Sequence, residues 1–187
     1  RLEEGAQLKQ RLRAGLVFQN GGRLFHQLTV LENLALPMCY HENIPLEEAR
    51  ERVSLVLKLV GLGGMERRRP GILTRNIHQR IALARALMLT PDVLLIDNPL
   101  GGIDPRQAYW WLDFLPKLAA GLPEFLHRRV TLVVTTDDFR PWKTDGQQFA
   151  LVHAKKWSII GGRTELEAAV DPAVREVLAP DFQRQES

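Results

Sequence analysis

The sequence predicts an α/β fold built on parallel strands, and three features predict it. Val93-Leu94-Leu95-Ile96 is an apolar run of strand length, closed by Asp97 and followed by Asn98, Pro99, Gly101 and Gly102. Val130-Thr131-Leu132-Val133-Val134-Thr135 is a second, β-rich run that ends in Thr136-Asp137-Asp138. Upstream of each run lies a segment with helical character, among them the good helix formers from Gln79 to Leu87. Near-continuous apolar strands alternating with helices belong to parallel sheets, which bind ligands outside the carboxyl ends of their strands. Asp97 stands at such an end, where a carboxylate can hold the magnesium of a nucleotide.

At 187 residues, with 45% hydrophobic and 25% charged residues, the chain suits one domain whose core forms only if the whole chain packs together. No run approaches the roughly 18 to 20 apolar residues of a membrane-spanning helix. Arg1-Leu2-Glu3-Glu4 has no signal-peptide pattern, so a cytoplasmic location is expected, with any membrane role peripheral and through a partner. One cysteine, Cys39, excludes an internal disulfide and a cysteine metal cluster, and His26, His41, His78, His127 and His153 lack ligand spacing. The net charge is +3, with Arg67-Arg68-Arg69 the densest basic cluster. Without interleaved aromatics to stack bases, that cluster reads as a solvated loop.

In chain order, residues 1 to 13 are polar and basic, helical at most, and Gly15-Leu16-Val17-Phe18 is a short buried strand ending at Gln19. Asn20-Gly21-Gly22-Arg23-Leu24-Phe25 is a glycine turn carrying apolar residues. Thr29 and Glu32 have the spacing of a capping box opening a helix. Pro45 opens a second, whose Leu46, Ala49, Val53, Val56, Leu57 and Val60 recur at helical intervals before Gly61. Asp104 and Pro105 start a helix with Ala108, Trp111, Leu112 and Leu115 on its apolar face, and Pro116 is expected to bend or end it. The Trp110-Trp111 pair reads as core or interface packing. Residues 148–153 and 155–162 read as paired strands, followed by short helices from Thr164 and Asp171.

The order of helix, strand with Asp97, then Gly102-Ile103-Asp104-Pro105 resembles the ATP-binding subunits of ABC transporters. Phe18-Gln19-Asn20-Gly21-Gly22-Arg23-Leu24-Phe25 and Asp171-Pro172-Ala173-Val174-Arg175-Glu176-Val177-Leu178 look like the Mla or MCE-type phospholipid transport ATPase in particular. The resemblance implies a P-loop NTPase (RecA-like) nucleotide-binding domain, with core sheet segments at about 14–20, 92–105 and 130–162. A helical subdomain is implied at about 34–90 and C-terminal helices at 164–187. It implies ATP and Mg2+ as cofactors, a second ATP-binding subunit and a transmembrane permease as partners, and a peripheral place on the cytoplasmic face of the inner membrane. Gln19 then begins the loop that reaches the metal and attacking water, Asp97 holds the metal, and Asp104 belongs to the turn after the strand. Leu24, Phe25, Leu28, Met38 and Tyr40 would line the groove that receives a cytoplasmic helix of the permease.

The departures from the family pattern are as specific as the matches. Where the family has Leu-Ser-Gly-Gly-Gln, with bare backbone approaching a γ-phosphate, this chain has Leu73-Thr74-Arg75-Asn76. Asn98 stands at the catalytic glutamate, where it cannot take a proton, and Asp137 at the histidine that contacts the γ-phosphate. An arginine finger at Arg75 is the alternative to a lost contact. No Gly-x-x-x-x-Gly-Lys-Ser/Thr string occurs in the sequence; the family places it upstream of the segment equivalent to Arg1, where a longer parent, if there is one, would carry it. In the family its strand lies beside the one ending at Thr136, and its absence would expose an apolar sheet edge. The reading is a degenerate, non-hydrolysing subunit of a lipid transporter. The alternatives are an active ATPase with its P-loop upstream, or a soluble nucleic-acid-binding relative, for which the expected coiled-coil insertion or tandem cassette is missing.

Overall fold

Local sequence signals set most element boundaries in this computed structural model, which describes residues 4–179. Helix α1 (Glu4–Leu12) leads into strand β1 (Ala14–Val17), followed by helices α2 (Val30–His41) and α3 (Leu46–Leu59). After the short 3-10 turn Pro70–Ile72 come α4 (Arg75–Leu87), β2 (Val93–Asp97), α5 (Pro105–Ala120) and β3 (Thr131–Thr135). The capping box is formed in full: the Thr29 hydroxyl accepts from the Glu32 N–H, and the Glu32 carboxylate accepts from the Thr29 N–H at 2.7 Å. Asp104 caps α5 through the N–H groups of Arg106 and Gln107, with Pro105 in the first turn. Gly61, at φ +72°, ends the α3 segment in the left-handed conformation that glycine adopts without strain.

The helix does not end at Pro116, which lies inside α5. Trp111, Phe114, Leu115 and Leu118 are buried on both sides of the proline, and their burial offsets the hydrogen bond that Pro116 cannot donate. Pro37 lies inside α2 in the same way, between the buried Ala35 and Met38.

The three strands form a parallel sheet in the order β1-β2-β3. Register places Leu16, Leu95 and Val133 side by side on one face, and Val17, Ile96 and Val134 on the other. Gly15 lies so close to Leu94 and to Ala86 of α4 that a Cβ there would meet them at 2.7 and 3.4 Å. On that covered face Val17, Leu94 and Ile96 are buried. The opposite face is half open: Leu16 is 48% exposed, Leu95 40% and Val133 44%, with Phe18 beyond them at 53%. The expectation of strands buried throughout therefore holds for one face only. Among the described residues β3 is an edge strand, and the exposed apolar surface is a face of the sheet as well as its edge.

The chain divides into two units between Thr135 and Thr136. The helices expected as a subdomain, α2 to α4, share the first unit with the parallel sheet. In the second unit, strands β4 (Phe149–His153) and β5 (Lys156–Gly161) form an antiparallel hairpin, with Ala154 and Lys155 at positive φ in its turn. Helices α6 (Arg163–Ala168) and α7 (Pro172–Leu178) follow, and Phe139, Phe149, Leu166 and Val174 make the core. The hairpin is a two-stranded sheet of its own, where residues 130–162 were expected to join one core sheet. The part of the predicted C-terminal helices at 180–187 lies outside the described residues.

Candidate functional site at the carboxyl ends of the parallel strands

Strand β2 ends on Asp97, whose side chain is fixed from the neighbouring strand. The Thr135 hydroxyl donates to Asp97 Oδ1 at 2.7 Å, and the Asn98 N–H donates to the Thr135 carbonyl and hydroxyl, both at 3.1 Å. Asn98 then takes φ +40°, a left-handed conformation that asparagine tolerates better than most residues. The turn closes with the Gly101 N–H donating to the Asn98 carbonyl at 3.1 Å. Gly101 is glycine for a steric reason: a Cβ there would lie 2.5 Å from both Asn98 Nδ2 and Gln19 Nε2. The two amides named from sequence, Gln19 and Asn98, thus converge on one glycine beside Asp97. Asn98 Oδ1 is enclosed and without a hydrogen-bond partner.

The start of α4 reaches the same turn. Thr74 holds the N-cap position in extended conformation but makes no side-chain cap, and the first turn carries no acid. Arg75 Nη2 donates to the Gly101 carbonyl at 3.3 Å, and Asn76 Nδ2 donates to Asp104 Oδ2 at 3.2 Å. One turn further along α4, the Arg80 guanidinium lies 3.9 Å above the Trp110 ring and donates to Gln107 Oε1 at 2.6 Å. Burial lowers the pKa of Arg80, with Asp104 acting in the opposite direction, and the group remains a cation at neutral pH. The tryptophan pair has split roles. Trp111 is core at 1% exposure, whereas Trp110 carries Arg80 on one side and stacks on Phe114 at 4.8 Å.

Two contributors, Thr135 and Gly101, were not legible as site residues, and Gln79, which matches the family's signature segment, takes a specific place. Gln79 is 1% exposed and donates through Nε2 to the Gln19 carbonyl, so α4 carries the loop that Gln19 begins. Gly21 seals this contact, since a Cβ there would lie 2.7 Å from the His78 carbonyl carbon. Thr135 was the one with a usable signal, because parallel strands ending together set Thr135 beside Asp97 in register.

The residues expected to receive a partner helix separate by burial. Leu24 and Met38 are buried at 6% and 2%, so they belong to the core, whereas Phe25 is 48% exposed, Tyr40 83% exposed and Leu28 intermediate. Tyr40 stands in the last turn of α2, the length of that helix away from the loop holding Phe25 and Leu28. Asn33, fully buried, holds this loop. Its Oδ1 accepts from the Phe25 N–H at 2.8 Å, and its Nδ2 faces the carbonyls of Phe25, Leu28 and Thr29 at 3.0, 3.3 and 2.9 Å.

In the second unit, Asp137 is exposed, and the following Asp138 pairs with Arg140 through contacts of 2.6 to 3.0 Å. Magnesium bound through a nucleotide needs only one or two protein carboxylates, and Asp97, steadied by Thr135, fits that requirement. Among the described residues no group of three or more His, Cys, Asp or Glu could hold a metal without phosphate ligands. At the start of α4 the side chains of Arg75 and Asn76 stand at the first two helical positions, directed to Gly101 and Asp104.

The ABC transporter family model matches residues 2–101. The probable ribonucleotide transport ATP-binding protein mkl of Mycobacterium leprae is 30% identical over 164 residues, 88% of this chain and 45% of the relative. The intermembrane phospholipid transport system ATP-binding protein MlaF of Escherichia coli K12 is 33% identical over 168 residues, 90% of this chain and 60% of the relative. This chain therefore spans about half the length of such relatives. Its fold is similar to that of cbiO1 from Clostridium perfringens, part of an ABC transporter complex, with a TM-score of 0.72, 22% identity, and coverage of 90% of this chain and 64% of that one. With Asp97 at the end of its strand, Gln19 and Asn98 converging on Gly101, and this match over residues 2–101, the chain belongs to the ABC transporter family and is close to its Mla-type ATP-binding subunits.

Proposed function

We propose that this chain is an ATP-binding-type subunit of a transporter for lipids that docks on a transmembrane permease and hydrolyses little or no ATP. The observation that carries the reading is the pair Arg75 and Asn76, whose side chains reach from α4 to Gly101 and Asp104 through hydrogen bonds of 3.3 and 3.2 Å. Their volume lies where the family brings backbone against a γ-phosphate. Asn98 adds to this: it keeps the place of a general base but has no proton-accepting group, and such a base is typically worth ~10²–10⁴ in rate. Asp137 would set an anion toward a polyanion if it takes the place that the family gives to histidine. The lipid cargo rests on likeness to MlaF and on the segments around Gln19 and Asp171. The name of mkl points to ribonucleotides instead.

A second reading is an active ATPase whose phosphate-cradling segment lies in a longer parent, and the intact Asp97–Thr135 pair with Gln19 beside it favours that reading. ATP turnover separates the two. The proposal expects no turnover above background from the purified chain, and turnover that Asp97→Ala abolishes would overturn it. If upstream coding sequence supplies a phosphate cradle, the longer protein should still turn over poorly under the first reading, and Asn98→Glu alone should not rescue it while Arg75 and Asn76 remain. Under the second, the longer protein is active as it stands.

A further inference from the structure

The arginine cluster 67–69 lies against the loop that carries Phe25. The Arg68 carbonyl accepts from the Val30 N–H at 2.8 Å and the Glu66 carbonyl from the Leu31 N–H at 3.0 Å, so this loop caps α2 with its backbone and leaves its side chains outward. Arg67, Arg68 and Arg69 are all exposed, and none takes part in the ion pairs formed among the described residues. Glu32, whose carboxylate accepts from the N–H and hydroxyl of Thr29 at 2.7 Å each, interacts with Arg69 only through space. Beside the arginines stand two exposed apolar side chains, Phe25 at 48% and Ile72 at 73%. The two loops meet at His26 and Gly71, where a Cβ on Gly71 would lie 3.6 Å from His26 Nδ1. Asn33 and the capping box hold the first loop rigid, so the surface is formed before any partner arrives.

Three exposed guanidinium groups outside the ion pairs formed among the described residues, next to two apolar anchors, select for a partner of opposite charge with an apolar stripe. We infer that the surface made by Phe25, Ile72 and Arg67–Arg69 receives an acidic amphipathic helix of the transmembrane partner, with carboxylates facing the arginines. This rests on the docking reading above and adds the chemistry of the partner segment. A membrane surface fits less well, because anionic lipid recognition is carried by clusters of about four to eight basic residues.

The test uses the full chain and two synthetic helical peptides with the same apolar stripe, one with glutamates flanking the stripe and one with lysines, followed by fluorescence anisotropy. The acidic peptide should bind, more weakly as salt rises, and the basic one should not. Charge reversal by Arg67→Glu, Arg68→Glu and Arg69→Glu together should weaken the acidic peptide by at least about tenfold and admit the basic one, with circular dichroism unchanged. Phe25→Asp should abolish binding of the acidic peptide. If Phe25→Asp abolishes binding while charge reversal changes nothing, the docking surface stands and its acidic partner falls. Well-folded variants that both bind like the parent would remove docking and acidic partner together. Arginine-dependent binding to phosphatidylglycerol vesicles without preference between the peptides would overturn the inference in favour of a lipid surface.

Discussion

Asn33→Ala removes one side chain and should loosen the whole loop that presents Phe25. The cost can be worked from who loses a partner. The carbonyls of Phe25 and Thr29 keep other donors, the Leu28 N–H at 3.1 Å and the Asn33 N–H at 3.0 Å, so they remain satisfied. The Phe25 N–H loses the acceptor Asn33 Oδ1, and the Leu28 carbonyl loses Nδ2. A backbone donor left without a partner costs up to about 1–3 kcal/mol when water cannot replace it. Adding the void left in a fully buried site brings the expected loss to about 2–4 kcal/mol, or roughly 4–16 °C in Tm for a chain of this size. Thr29→Ala, which removes only the cap hydroxyl, should cost about 1 kcal/mol. Urea unfolding followed by circular dichroism measures both, and hydrogen exchange at the Phe25 amide reads the loop itself. An Asn33→Ala protein within about 0.5 kcal/mol of the parent, with that amide still protected, would refute the assignment of Asn33 as the residue that holds the loop.

Two further outcomes follow from the first unit. The hydrogen bonds from the Thr29 backbone and hydroxyl, with smaller help from Arg69 and Arg50, hold the Glu32 carboxyl below its usual range. Its contribution is therefore present above the ordinary carboxylate pKa and is lost as pH falls through the lowered folded value. Glu32→Gln, which can still cap, should flatten that acid limb of the stability curve, and an unchanged limb would show that Glu32 does not shape it. On the sheet, Val133→Lys on the half-open face should cost less than about 1 kcal/mol and reduce self-association measured by light scattering. Leu94→Lys, on the covered face, should prevent folding, and equal damage from both would contradict the two-faced description.

What the sequence made legible was whatever depends on short spacing. The capping box at Thr29 and Glu32, the Asp104-Pro105 start of α5, and the positions of Asp97 and Gln19 at strand ends all follow from a few neighbouring residues. What it hid depends on contacts distant in sequence. Asn33 looks like any polar residue in an apolar helix until its four partners are known, and Thr135 reads as strand until its hydroxyl is seen on Asp97. Leu24 and Phe25 are adjacent and similar in hydropathy, and only the turn decides that one is core and the other exposed. Pro116 does not end α5, because a proline's local cost, visible in sequence, is offset by the burial of Phe114, Leu115 and Leu118, which is not.

The contacts of Arg75 and Asn76 bear on whether this subunit could move as well as on whether it could hydrolyse. Both bonds are exposed and at 3.2 to 3.3 Å, so each contributes only about 0.5–1.5 kcal/mol, and together they are too weak to lock α4 against the Gly101–Asp104 turn. Arg75 also brings a positive charge to the positive end of the α4 dipole, which opposes the contact by about 0.3–1 kcal/mol. Under the proposed reading, the two side chains would therefore act by the volume they occupy rather than by bonding the turn shut. By contrast, α4 is tied to the Gln19 loop by the buried Gln79 and by the close approach of Gly21, and to α5 by Arg80 on Trp110. These links do not depend on Arg75 or Asn76. Under the proposed reading, a displacement carried by α4 would therefore be passed to the Gln19 loop and to α5 through these links rather than through Arg75 and Asn76.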